Sequence, residues 1–243
     1  MKVTVVGYWG GYPTKDGATS AYLLEHDNFT LLIDAGSGSL SKLQKYKAVS
    51  DLDAVILSHY HHDHTADIGV LQYARLIHYY VTESDTVLPI YGHTEDKEGF
   101  GSLTHNFTKG IAYQPGEALK VGPFTITFMK TKHPVPCYGM RISDGKGVLV
   151  YTADSSYTED WIDFAKDSGL LIADCNYYAG QDGSKAGHMN SQEVGQIAER
   201  AKVESLILSH LPQFGDRSQL LKEAGESYKG KLMLAEEGLT WEG

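Results

Sequence analysis

Cysteine is nearly absent from the 243 residues: Cys137 and Cys175 are the only two. Two cysteines cannot build a disulfide framework, and they suit a reducing compartment. Long apolar runs are missing as well. No stretch reaches the roughly 18 apolar residues of a membrane span. The opening MKVTVVGYWGGYPT lacks the apolar core and cleavage pattern of a signal peptide. A cytoplasmic protein with no membrane partner is therefore expected. Positive charge is also scarce, with 21 Lys and Arg against 31 Asp and Glu and a net charge of −10. Proteins that grip long nucleic acid by its phosphates usually carry a basic face, so that partner is not expected. A small anionic substrate stays compatible, because bound metal ions bring their own positive charge. Pro/Ser-rich linkers and low-complexity blocks are missing too, which leaves 1–243 as one expected domain.

Hydrophobic residues make up 42% of the chain, enough for a substantial core. β-Branched and Leu-rich runs bounded by Gly, Asp, Asn or Pro predict strands at Lys2–Gly7, Ser20–His26, Phe29–Asp34, Asp53–Ser58, Val87–Tyr91, Phe124–Met129, Gly147–Thr152, Leu170–Asp174 and Ser205–Ser209. Helices are predicted at Ser39–Tyr46, Asp67–Tyr80, Thr158–Asp167, Ser191–Ala201 and Ser218–Tyr228, with Ser191 and Glu193 as a capped start. Glu83–Gln114 is the least regular segment and reads as a loop or cover near a site. One echo stands out: LDAVILSH at 52–59 and VESLILSH at 203–210. Each is an apolar strand ending in Ser-His, which suggests two related halves that deliver ligands at strand C-termini.

The strongest chemical signal is His59-Tyr60-His61-His62-Asp63-His64, directly after an apolar strand. Imidazoles and carboxylates are ligands for zinc, iron or manganese. Four ligands on one short turn cannot all reach one ion comfortably. Dividing them, His59 and His61 on one cation and Asp63 and His64 on another, relieves the geometry.

This HxHxDH pattern resembles that of the metallo-β-lactamase superfamily, in which the four named positions bind metal; His62 falls on a variable one. The resemblance extends over most of the chain. It implies at Asp34, in LLIDAGSG, a buried carboxylate that orients the ligands. It also implies a ligand for the first metal at His133, a bridging carboxylate at Asp154 in LVYTADSS, and a ligand for the second metal at His210 in LILSHLP. The fold so implied is a four-layer αββα sandwich of the α/β (α+β) class. The segments HPVPCYGMRI and AGHMNSQEVGQIAERA are similar to the ribonuclease Z and small-phosphodiesterase branch, whose catalytic His corresponds to His188. The branch's RNA-processing members carry a long Gly/Pro-rich arm. Here Arg141 runs through ISDGKG into the next strand, and Asp144-Gly145 is a hairpin turn signal that leaves no room for one. Flavodiiron proteins replace the motif's second His with Glu, and the commonest zinc β-lactamases have Cys where Asp154 stands. Glyoxalase II and lactonases share the ligands.

The resemblance thus implies a dinuclear hydrolase, with two divalent cations, zinc first and manganese or iron(II) as alternatives. Such a pair, about 3.5–4 Å apart, shares a hydroxide at neutral pH, and a small phosphodiester is the expected substrate. His188 is the candidate general acid, and Asp63 a candidate to steer the nucleophile's proton. Arg141, Ser155 and Ser156 are candidate phosphate contacts, His93 and His105 candidates to reach the pocket, and Tyr60 a candidate pocket wall. A hydrolase of a carboxylic ester, lactone or thioester, and a non-catalytic metal-dependent binding domain, remain as alternatives. Dimers are common in the branch, so a homodimer is expected on that ground, with no sequence stripe to mark its interface.

Overall fold

A computed structural model describes all residues, 1–243. The first sheet holds β1 (Lys2–Gly7), β2 (Ala21–His26), β3 (Phe29–Ile33), β4 (Ala54–Ile56), β5 (Leu88–Gly92), β6 (Thr108–Ala112) and β14 (Thr240–Glu242), in the order β14-β1-β2-β3-β4-β5-β6. The second holds β7 (Leu119–Val121), β8 (Phe124–Lys130), β9 (Tyr138–Ser143), β10 (Val148–Tyr151), β11 (Leu170–Asp174), β12 (Ser205–Ser209) and β13 (Lys231–Leu234), in reverse chain order. Helices α1 (Ser39–Leu43), α2 (His62–Thr65), α3 (Ile68–Thr82) and α4 (Lys97–Gly101) connect first-sheet strands. Helices α5 (Asp160–Phe164), α6 (Ser191–Arg200) and α7 (Arg217–Ser227) connect second-sheet strands. This is the predicted sandwich of two mixed sheets flanked by helices.

Strand alternation explains the layers. On β2 to β4, Tyr22, Leu24, Leu31, Ile33, Ala54 and Ile56 join the large core between the sheets. Their neighbours Leu23, Leu32 and Val55 face a smaller core with Leu40, Leu43, Ile68 and Leu71 of α1 and α3. Successive side chains point to opposite faces, so both faces must be covered. Inside their sheets, β4 lies between parallel neighbours β3 and β5, and β12 between parallel neighbours β11 and β13. That setting is why β4 and β12 read as unbroken apolar runs. Their C-terminal ends emerge along one edge.

Several elements depart from expectation. Glu83–Gln114 is no mere cover: beside the predicted strand, β5, it supplies α4 and β6, the edge of the first sheet. The N-cap of α6 is Asn190, one residue before the expected start, in a reciprocal capping box with Glu193. Strands β6, β7, β9, β13 and β14 lie outside the predicted set. The hairpin at Asp144-Gly145 forms as expected: β9 pairs antiparallel with β10, Gly145 has φ 87°, and the Asp144 carboxylate accepts from the amides of Lys146 and Gly147. No helix is long and apolar enough to cross a membrane.

Candidate metal centre

Five strand ends build the site. Asp34 follows β3, Ser58 and His59 follow β4 by two and three residues, Asp154 follows β10, Asp174 closes β11, and His210 follows β12. Three of the residues at these ends take left-handed backbone conformations: Asp34 (φ 56°), Ala153 (φ 52°) and His210 (φ 51°). Such φ values cost of order 1–3 kcal/mol each and persist where surrounding structure over-determines them. Here they turn the chain sharply out of the sheet and aim the following or own side chain across the edge.

Two donor groups converge there, sharing Asp154: His59, His61 and His133 with Asp154, and Asp63, His64 and His210 with Asp154, all ligand atoms within 4.8 Å in each group. In the first, His61 Nδ1 lies 3.2 Å from His133 Nε2, and His59 Nε2 lies 3.6 Å from Asp154 Oδ2. In the second, His64 Nε2 is 3.1 Å and His210 Nε2 3.4 Å from Asp154 Oδ1, while Asp63 Oδ2 is 3.1 Å from His210 Nε2. The seven sequence-predicted ligand positions are therefore brought together, in the predicted division. Their fit to cations rests on chemistry. His59 Nε2, His64 Nε2 and Asp154 Oδ1 are buried and have no hydrogen-bond partner. Buried polar atoms are otherwise almost always partnered, and a divalent cation completes this set.

A second layer of contacts orients these side chains. Asp34 accepts from the amide and hydroxyl of Ser58 and from the Tyr151 hydroxyl, and holds His64 Nδ1 at 2.7 Å, which turns Nε2 to the centre. This is the role expected of Asp34. The Gly11 amide donates to Asp63 Oδ2 at 2.7 Å, and His133 Nδ1 pairs with the Gly187 carbonyl at 3.2 Å. His188 Nδ1 lies 2.8 Å from Asp174 Oδ2, and its ring stacks on His210 at 4.9 Å between centroids. Asp174, His188 and His210 form a third group around Asp154.

The electrostatics separate the two cation groups. Burial and the neighbouring His64 push His59 well below the usual imidazole range; burial also lowers His61 and His133. These three are neutral, the form that binds metal. His64 and His210 go the other way. Burial opposes their charge, but Asp154 and the surrounding carboxylates outweigh it, raising His64 strongly and pushing His210 up to about 10. Against their own burial, the same imidazoles hold Asp63 and Asp154 far below the ordinary carboxylate range.

The site opens into a cleft of about 270 Å³ lined by His61, Asp63, His133, Asp154, His188, His210 and the Gly10–Tyr12 and Asn176 segments. Several candidates lie elsewhere. Arg141 donates to the carbonyls of Phe164 and Lys166 and ties down the end of α5, so it is no phosphate contact. Ser155 and Ser156 are buried, their hydroxyls spent on the carbonyls of Ser156, Lys132 and Ser184. His93 is buried beside Tyr60 and Tyr138, outside the cleft, and His105 pairs with Thr108 at the sheet edge. Tyr60 walls a different hollow and donates to the His93 carbonyl. Four contributors escaped sequence reasoning: Asp174, Gly10, Gly11 and Asn176. Asp174 had a signal, since LLIAD ends an apolar strand as LLID does at Asp34. Gly10 had none; a Cβ there would sit 2.7 Å from the His210 ring.

A chain whose sandwich edge gathers this His/Asp set is a metallo-hydrolase, and it belongs to the metallo-beta-lactamase superfamily, whose profile matches residues 14–210. Among curated proteins it is 54% identical over 244 residues to the "Probable metallo-hydrolase YhfI" of Bacillus subtilis (strain 168), covering 100% of both chains. It is 24% identical over 305 residues to a ribonuclease Z of Haloferax volcanii, covering 98% of this chain and 93% of the relative. Among solved structures, the Bacillus subtilis YhfI crystal structure superposes with a TM-score of 0.98 at 53% identity, over 100% of this chain and 99% of that one. The short form of human tRNase Z gives 0.79 at 18% identity (100% and 99% covered), and a diphosphatase of the PhnP family 0.78 at 17% (99% and 97%).

Proposed function

We propose that this metallo-hydrolase cleaves small-molecule phosphodiesters, with His59, His61, His133 and Asp154 holding one divalent cation and Asp63, His64, His210 and Asp154 the other. Zinc is the first expectation; manganese and iron(II) fit the same donors. The observation that carries the reading is the His188–Asp174 pair at the cleft shared by both donor groups. An alkoxide leaving group needs a proton, and a carboxylate-held imidazole is built to deliver one. Burial works against charge on His188, yet Asp174 outweighs it and raises its pKa, so the acid form is well populated near neutrality. Two relatives carry names that denote cleavage at phosphorus, the ribonuclease Z and the diphosphatase, which supports a phosphorus centre over a lactone.

When bound, the cations supply Lewis acidity and lower the pKa of water. The protein's own groups do the rest. Asp174 fixes the His188 tautomer by taking Nδ1–H, which leaves the opposite ring edge to serve the leaving oxygen. Asp63 is anchored through Oδ2 by Gly11; its other oxygen has no protein partner and is free to accept a hydrogen bond from the attacking water and so orient it. Asp34 and Ser58 keep His64 and His59 in place. The tight β9–β10 turn carries no arm to clamp a long RNA, and the net charge of −10 supports a small substrate. Two buried, free cysteines support a reducing, cytoplasmic setting.

The test is a substrate panel on metal-analysed protein: a model phosphodiester, a phosphomonoester, a lactone and a β-lactam. Turnover of the phosphodiester is expected to dominate. Exclusive lactone turnover would overturn the reading.

A further inference from the structure

Part of the cleft lining has no share in the chemistry. Apart from the metal donors and His188, it consists of Gly10, Gly11, Tyr12, Asn176, Ala186 and Gln213. None of these is Lys or Arg, so no such side chain selects a second charged group on the substrate. The Asn176 amide donates to the His210 carbonyl at 2.9 Å. The Gln213 amide donates to the carbonyls of Gly10 and Tyr12, the latter at 2.6 Å. Gly10, Gly11 and Ala186 have no polar side chain to offer. Tyr12 is the large side chain that remains. It belongs to neither hydrophobic core and is 53% exposed.

The backbone beneath that ring is fixed from several sides. The Tyr12 amide donates to the Gly10 carbonyl at 2.7 Å around Gly11, whose φ is 69°. This is the rare, strained γ-turn of positive φ. Strained turns persist where neighbours over-determine them, and they cluster at ligand clamps. Here the Gly10 amide donates to the Leu211 carbonyl at 3.1 Å, the Gly11 amide holds Asp63, and Gln213 spans the two carbonyls of the turn. Gln213 is followed by a second aromatic side chain in water, Phe214 (75% exposed), whose carbonyl accepts from the Tyr178 hydroxyl at 2.9 Å. A half-exposed ring on a backbone this constrained adds little to the core. It does lower the ordering cost of binding a ligand.

We infer that Tyr12, held by the Gln213 latch, sets substrate specificity by stacking on a planar ring. The preferred phosphodiester then carries a nucleobase or an aryl group on one of its two alcohols. This rests on the phosphodiester reading and narrows it. Stacking needs no charge, and every base or aryl group has a π face to offer. A cleft without Lys or Arg also favours a single phosphate over a polyphosphate chain.

Three diesters test this: dimethyl phosphate, benzyl methyl phosphate and the methyl ester of thymidine 5′-phosphate. Methanol can leave from all three, so a ring alters recognition and not departure. With metal-loaded wild type, kcat/KM should be about 10-fold or more higher with a ring than without. Tyr12→Ala should bring that ratio close to one, and Tyr12→Phe should keep it. Gln213→Ala should lower it although the ring is still present. A ratio cancels any general loss of folding or metal. Preference for the thymidine ester assigns the ring to a nucleobase, and preference for the benzyl ester to an aryl group. Calorimetry with benzyl(methyl)phosphinate and dimethylphosphinate, monoanions with no ester bond to cleave, reads binding without turnover. The benzyl compound should bind about 10-fold tighter, and Tyr12→Ala should erase the difference. A wild type that cleaves no diester yet keeps this ring-dependent binding overturns the phosphodiester reading and upholds ring recognition by Tyr12. Equal binding of the two phosphinates, a wild-type ratio near one, or a ratio that survives Tyr12→Ala overturns the role given to Tyr12 and leaves the diester reading standing.

Discussion

Replacing Asp174 by Asn removes a charge while keeping the shape that supports His188. The carboxylate is what raises the His188 pKa against the pull of burial. Without it the pKa falls, the acid form is lost at lower pH, and the alkaline limb of kcat should move toward acid. A uniform loss at every pH would instead reduce Asp174 to a structural prop. His188→Ala should keep both cations and lose about 10²–10⁴-fold in kcat on an alkyl leaving group, the usual worth of general acid catalysis. A nitrophenyl diester, whose leaving group needs no proton, should lose far less; equal losses on both would remove His188 from the acid role. His61→Ala should lower the metal content itself, read by elemental analysis. The two donor groups should also take up metal with different proton counts. His59, His61 and His133 are already neutral at pH 7, whereas His64 and His210 must give up protons. Metal affinity at the Asp63/His64/His210 group should therefore rise with pH through neutrality, and that at the three-histidine group should stay nearly flat. Calorimetry in buffers of different ionisation enthalpy counts those protons; no proton release in either step would contradict the assignment.

At the scale of elements, the capping box on α6 links stability to the site, because Asn190 lies two residues after His188 and also holds the Gln181 carbonyl. Asn190→Ala should cost about 1 kcal/mol, the usual worth of an N-cap. In a chain of this length that lowers the melting temperature by about 2–4 °C; differential scanning calorimetry decides, and an unchanged Tm would show the cap to be idle. The elements legible in sequence were those that define themselves. Strands β1, β11 and β12 match their predicted bounds because each is a mostly apolar, β-branched or Leu-rich run inside a sheet. Those that stayed hidden depend on neighbours. β6 reads TKGIA, β7 LKV and β14 TWE: short edge strands that acquire extended structure from a partner's hydrogen bonds, not from their own pattern. β9, YGMRIS, carries a glycine at a point where a Cβ would press on Trp161, so a packing requirement across the core masks its strand signal.

Across the whole molecule, the donors divide by sheet. His59, His61, Asp63 and His64 follow β4 of the first sheet, while His133, Asp154 and His210 follow strands of the second. Order along the chain made these positions visible, but nothing in the sequence showed that they meet, since that depends on two sheet edges coming into register. The Ser-His echo found its physical basis at this scale: β4 and β12 each lie between parallel neighbours in opposite sheets, and each adjoins a strand followed or closed by an Asp, Asp34 and Asp174, that holds a histidine. Cations bound here would clamp one sheet edge to the other, and their loss would leave buried polar atoms without partners, at about 1–3 kcal/mol each. Binding to the folded chain alone stabilises by about 2.7 kcal/mol per site when free metal is 100 times Kd. With two sites and about 2–4 °C per kcal/mol, stripping the metals should lower Tm by roughly 10–20 °C. Adding zinc or manganese back to the stripped protein should restore it, and His61→Ala should recover only part of the shift because one donor group is broken. Identical melting with and without chelator, on protein shown to contain metal beforehand, would mean that the cations do not join the two sheets and that the seven side chains are held together by the fold alone.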